Sequence, residues 1–242
     1  MRAARHLLRR SIAVRSWPLW SLRPRWLVAF VLTVIAADLT AVGIAASFTV
    51  ITASNLALFS LLVGCTAISV EVTRKSGEQR GMTKDVQGVW ELPAAILLPA
   101  LYALIIPVIR IALLQWRIGR APVYRRVFSA AALSLSYGAA SVTFHSLYRL
   151  MPQDSAGTLI RGTAWTLMIV VSVLVKETLN KAVVMTAVKA TDPGATFRNE
   201  VFSREPLYND GAEICTGVLV TYGVAGNPWL ALAALPVVTL LQ

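Results

Sequence analysis

The chain has 242 residues, of which 56% are hydrophobic and only 14% charged, with a formal net charge of +11 at pH 7. That balance, with a mean hydropathy of +0.64, excludes an ordinary soluble domain and predicts an integral membrane protein. The positive charge does not point to a nucleic-acid partner, because the arginines and lysines lie between and beside apolar blocks, where membrane topology puts them.

The first 25 residues carry seven arginines and no acid, interleaved with Leu7, Leu8, Ile12, Val14, Trp17, Trp20 and Leu22. They read as a basic amphipathic arm on the cytoplasmic face, in contact with anionic lipid. A secretory signal is the competing reading, but the following apolar segment is long, contains Asp38 and precedes further spans, so an uncleaved first span is expected. Residues 26–242 then form a single membrane helical domain.

Apolar blocks of spanning length follow at Trp26–Ser47, Thr49–Val72, Leu92–Trp116, Val127–Phe144, Thr158–Val188 and Ala212–Leu241. The fold class expected is all-α, a polytopic membrane helix bundle of about six spans. The last block is interrupted by "GNPW" at Gly226–Trp229, where proline kinks one helix or separates two. Cys65 and Cys215 each sit inside a block, which indicates packing rather than a disulfide framework or a CxxC site.

The third block poses the topological question. Both "TRKSGEQRGMTK" before it and "QWRIGRAPVYRR" after it are strongly basic, yet a simple crossing would put one of them outside. Leu92–Trp116 is therefore either one tilted crossing or a proline-broken, re-entrant segment that dips in and returns, which Pro93 and Pro99 make feasible. Non-helical backbone at that depth must be surrounded by other helices or a watery cavity. Both readings put the protein in the plasma membrane as a multi-pass chain with cytoplasmic termini.

The run Val89-Trp90-Glu91-Leu92-Pro93-Ala94-Ala95-Ile96-Leu97-Leu98-Pro99-Ala100 follows two apolar helices and a basic loop. It precedes the aromatic-basic exit "LLQWRIGRAPVYRRVFSAAA" and a late "NPW" break. In that order these features resemble the N-terminal membrane region of actinobacterial GGDEF-type diguanylate cyclases, over about Trp26 to Gln242. The resemblance implies a sensory or regulatory bundle that biases a cytoplasmic output. No Gly-Gly-Asp/Glu-Glu-Phe signature occurs in the sequence, so no cyclase activity is carried over.

Ionisable groups within apolar blocks are costly and mark site candidates. Asp38 lies mid-block, Arg110 in the last third of the third block, and Glu213 opens the last. Lys176, Glu177, Asn180 and Lys181 interrupt the fifth block at i, i+1, i+4 and i+5, within an arc of about 140° on one helical face. Asp38, Arg110, Lys176, Glu177 and Asn180 are the candidate ligand-binding residues, with Arg110 or Lys176 as the expected partner of Asp38. The competing reading makes Lys176 and its neighbours a solvated helix end, with Glu177 and Lys181 an ordinary i,i+4 pair.

The tryptophans mostly flank blocks and read as interface anchors. His145 is a lone interfacial histidine, without metal-ligand spacing. No Walker loop, HExxH or GxSxG is present, so no enzyme and no cofactor is indicated. Three functions stay open: a sensor acting on a cytoplasmic or membrane protein partner or as a homodimer, a vitamin-uptake-like transport component, and a structural subunit of a membrane complex.

Overall fold

Every regular element among the described residues is helical. The structure is a computed structural model that describes residues 18–21, 24–75, 86–117, 122–151, 158–191 and 204–240. Most of the basic arm, at 1–17, and the centres of the two basic loops, at 76–85 and 118–121, lie outside the described residues. The helices are α1 (Arg25–Phe48), α2 (Ala53–Lys75), α3 (Glu91–Leu97), α4 (Ala100–Arg117), α5 (Val123–Leu150), α6 (Thr158–Thr191), α7 (Arg204–Gly226) and α8 (Leu230–Leu240). Short 3-10 turns at Pro18–Ser21 and Val86–Trp90 lead into α1 and α3. Four of these helices, α1, α2, α4 and α5, are long and apolar enough to cross a membrane.

The break between α3 and α4 follows from one residue. Pro99 pushes Leu98 into extended geometry, φ −115° and ψ 158°, while the Leu98 N–H still closes on the Ala94 carbonyl. The Tyr102 N–H then bonds the Pro99 carbonyl at 3.0 Å and opens α4. Along one straight helix the nineteen steps from Glu91 to Arg110 would span about 28 Å. Instead their side chains meet at 2.7 Å, so the chain doubles back at Leu98–Pro99. Arg117, at the end of α4, approaches Glu71 near the end of α2 at 3.7 Å. The folded segment thus finishes beside the helix that preceded it.

This hairpin is the core of the molecule. Residues 91–96 of α3 are all buried, as a helix that is apolar nearly all round must be. Trp90, Ala94 and Leu98 pack with Leu62 of α2, Val220 of α7 and Ala231 of α8. Leu92, Ala95 and Ile96 pack on the other side with Tyr137 and Phe144 of α5 and Ile169 of α6. Trp90, expected at an interface, is fully buried and donates its indole N–H to Ser69 Oγ at 2.9 Å. Trp26, Trp116 and Trp229 are exposed, as anchors should be.

Small residues let α5 sit centrally, against α1, α3, α4 and α6. Ala130, Ala131, Ser134, Gly138, Ala140 and Ser141 are all buried, and small residues permit close approach of helices where no hydrophobic force drives them together. At Gly138 a Cβ would overlap Leu104 Cδ2. The "GNPW" interruption is a true helix break, with α7 ending at Gly226 and α8 beginning at Leu230.

Candidate functional site

Charges in an apolar bundle must find each other, and five helices bring polar side chains to the same region. Glu91, fully buried as the first residue of α3, pairs with Arg110 of α4, which is 4% exposed. Tyr137 of α5 donates its hydroxyl to the Gly88 carbonyl at 3.3 Å. Lys176 of α6, 7% exposed, bonds Glu177 at 2.6 Å and stands 4.9 Å over the Tyr137 ring. That position adds a cation–π contact to the ion pair. Glu213 of α7 reaches in against Gly88, where any Cβ would overlap its carboxylate.

The fields of these groups overlap. Glu213, Glu177 and Glu91 all act on the Lys176 ammonium, and Glu91, Glu213, Glu177 and Arg110 all act on the Tyr137 hydroxyl. Lys181 closes the set, 3.8 Å from Glu177 Oε2. The carboxylates Glu91, Glu177 and Glu213 are therefore matched by Arg110, Lys176 and Lys181, which is the condition for keeping charge in such surroundings. A void of about 10 Å³ lies between Gly88, Tyr137, Lys176 and Glu213, room for about one water.

Of the five residues singled out in the sequence, Arg110, Lys176 and Glu177 meet in this cluster. Asn180 lies one turn beyond Lys176 on α6; its Oδ1 is buried and accepts no hydrogen bond among the described residues. Asp38 stands apart. Its expected cation partner is replaced by a hydroxyl: Ser134 Oγ sits 2.5 Å from Asp38 Oδ1 and 2.7 Å from the Leu104 carbonyl oxygen. Arg110 is unavailable to Asp38 because Glu91 holds it, and Lys176 because Glu177 does.

The solvated-end reading of Lys176 is also corrected. At 34 residues, about 51 Å, α6 is far longer than a bilayer core, so counting apolar residues along it does not fix where it leaves the bundle. The i,i+4 contact of Glu177 with Lys181 forms as expected, within the cluster rather than in place of it.

Glu91, Tyr137 and Gly88 escaped the sequence reading. Glu91 sits just outside an apolar block, and the other two carry no charge. The usable signal was that Glu91 and Arg110 are the only opposite charges in a single proline-broken segment. His145 Nδ1 lies 2.8 Å from the Ser141 carbonyl oxygen one turn back, and its ring packs edge-on with Phe144. No protein-family model, curated protein or solved structure matches the chain.

Proposed function

We propose that the chain is a membrane sensor or regulatory module, of the kind implied by its resemblance to the signal-input region of actinobacterial cyclic-di-GMP enzymes. It sits multi-pass in the plasma membrane with both termini in the cytoplasm, its basic arm on anionic lipid. Leu92–Trp116 is re-entrant in this reading: α3 dips in, the chain turns at Pro99, and α4 returns to the side it came from. The Glu91–Arg110 and Glu71–Arg117 contacts support that path. Both basic loops then fall on the cytoplasmic side, as the positive-inside rule requires.

One observation carries the functional reading: the ion pair that closes the hairpin adjoins the Lys176, Tyr137 and Glu213 groups of three other helices. Such a matched set has few stable arrangements. A polar ligand or partner that engages one charge obliges the others to find new partners, which biases the hairpin between two packings. Because α4 runs directly into the basic loop around Arg117, the change reaches the cytoplasmic surface, where a protein partner or a second copy of the chain reads it.

The test is mass analysis of the full chain purified in mild detergent, followed by a structure of any complex. The sensor reading expects a polar small molecule or a cytoplasmic protein retained by the wild type and lost from Gly88→Ala. Substrate uptake dependent on an ATPase partner sinks it in favour of transport. Fixed-stoichiometry isolation within a large membrane complex, indifferent to Gly88→Ala, makes the chain a structural subunit.

A further inference from the structure

A second feature lies away from the ion cluster, where the start of α1, the start of α5 and the end of α6 come together. Between them is an open cleft of about 270 Å³. Leu27, Val31, Phe128 and Val188 make it apolar, while Tyr124, Arg125 and Thr191 bring polar groups to it from the helix ends. The polar residues belong to the terminal turns and Val31 and Phe128 lie about one turn deeper. The cleft is therefore graded from polar to apolar along the bundle axis.

Its polar end is positive. Among the described residues no carboxylate pairs with Arg125 or Arg126. Arg125 uses Nε to donate to the Tyr124 hydroxyl at 3.1 Å, which directs its guanidinium while leaving the terminal N–H groups unused there. Arg126, the next residue, does not line the cleft; its Nε is buried and donates to nothing among the described residues, so its charge adds to the field from beside it. The N-terminus of the 28-residue α5 adds to the same field, with no side chain capping it.

We propose that this cleft is a binding site for one anionic glycerophospholipid. The phosphate sits on Arg125 at the start of α5, with the charge of Arg126 beside the cleft, and an acyl chain lies along Phe128 and Val188, over the buried Leu27 and Val31. A zwitterionic lipid would satisfy the apolar wall but bring a cation to a site already positive. A soluble anion would satisfy Arg125 and leave the half-buried Phe128 and Val188 uncovered. The amphipathic grading and the positive end together select a molecule with a charged head and a hydrocarbon tail.

A photoreactive benzoylphenylalanine at Val188 in the full chain, reconstituted in nanodiscs of phosphatidylglycerol or phosphatidylcholine, tests the assignment. The expected product is a phospholipid adduct, with phosphatidylglycerol preferred in mixed discs by about 30-fold for two arginines. Arg125→Gln with Arg126→Gln abolishes the preference, and the Arg125→Lys, Arg126→Lys pair restores most of it. Equal adducts with both lipids overturn the proposal, as does a preference that survives the glutamine pair in a chain of unchanged thermal stability. An adduct to residues 1–17, to a second copy of the chain or to no partner overturns it too, by giving the cleft a different occupant or none.

Discussion

Glu91 and Arg110 hold one another in a place with little water to take over for either, so each is more costly alone than both are together. Removing one partner of a buried pair typically costs about 3–5 kcal/mol, because the survivor stays charged and unmatched, whereas replacing both with apolar groups is often neutral. Glu91→Gln or Arg110→Met should therefore lower stability by about 3–5 kcal/mol in mixed-micelle unfolding, and Glu91→Leu with Arg110→Met should recover most of it. Recovery fails if the pair is needed to set the hairpin rather than only to satisfy itself, so the double variant decides which. At Asp38 the argument runs on hydrogens. Ser134 has one hydroxyl hydrogen facing both Asp38 and the Leu104 carbonyl. Asp38→Asn supplies an amide donor to Ser134 Oγ and frees that hydrogen for Leu104, so it should match or exceed wild-type stability. Asp38→Leu should lose about 1–3 kcal/mol in the same unfolding measurement. The sequence exposed Asp38, Arg110, Lys176 and Glu177 because charge stands out against apolar neighbours, but it could not assign their partners. Partner choice depends on which helix faces show each other, and Ser134 and Tyr137 are neutral residues whose importance exists only after packing.

Pro99 turns one apolar block into two antiparallel helices, and the consequence is topological. If α4 returns to the cytoplasmic side, the loop after it is accessible only from there. Gly119→Cys and Ala121→Cys, in a background with exposed Cys215 replaced by serine, should react with a membrane-impermeant maleimide in inverted vesicles and not in intact cells. Labelling of intact cells from outside would make Leu92–Trp116 a single crossing. The proline break, the "GNPW" break and the helix cores were legible, since backbone chemistry acts locally: the block Trp26–Ser47 became Arg25–Phe48, and Thr158–Val188 became Thr158–Thr191. The ends of α5 were not. Val127–Phe144 grew to Val123–Leu150, with Tyr124 packed on Leu27 and Val31 of α1 at one end and Leu147 against the Phe144 cluster at the other, a tertiary fact that hydropathy does not carry. The count of crossings is harder still, since α3 and α8 at 7 and 11 residues are too short to span alone and take their meaning from the helices around them.

Seen whole, the bundle is apolar at its rim and holds a charged cluster within an apolar core, unlike a protein folded in water. Leu39, Ile44, Leu56, Leu167, Leu174 and Leu219 all face outward, while Glu91, Arg110 and Lys176 face inward. Exposed apolar area of that extent requires a cover, and for a bundle with four spanning-length helices lipid is the matching solvent. Helix α1 allows a direct test, because neighbouring residues face opposite ways. Asp38 is buried against Ser134, whereas Leu39, about 100° further round the helix, is 66% exposed. In water, Leu39→Arg would be neutral or would improve solubility. In a bilayer it puts a cation near mid-span, at a cost of about 2.5–3.5 kcal/mol on the apparent insertion scale. Phe48→Arg is the control: Phe48 is 84% exposed but is the last residue of α1, so an arginine there snorkels to the headgroups at little cost. Glycosylation-mapped insertion of the two variants should separate them clearly, Leu39→Arg inserting poorly and Phe48→Arg as well as wild type. Equal insertion of both would mean that Leu39 faces protein rather than lipid, and that the rim around α1 is an interface with another subunit.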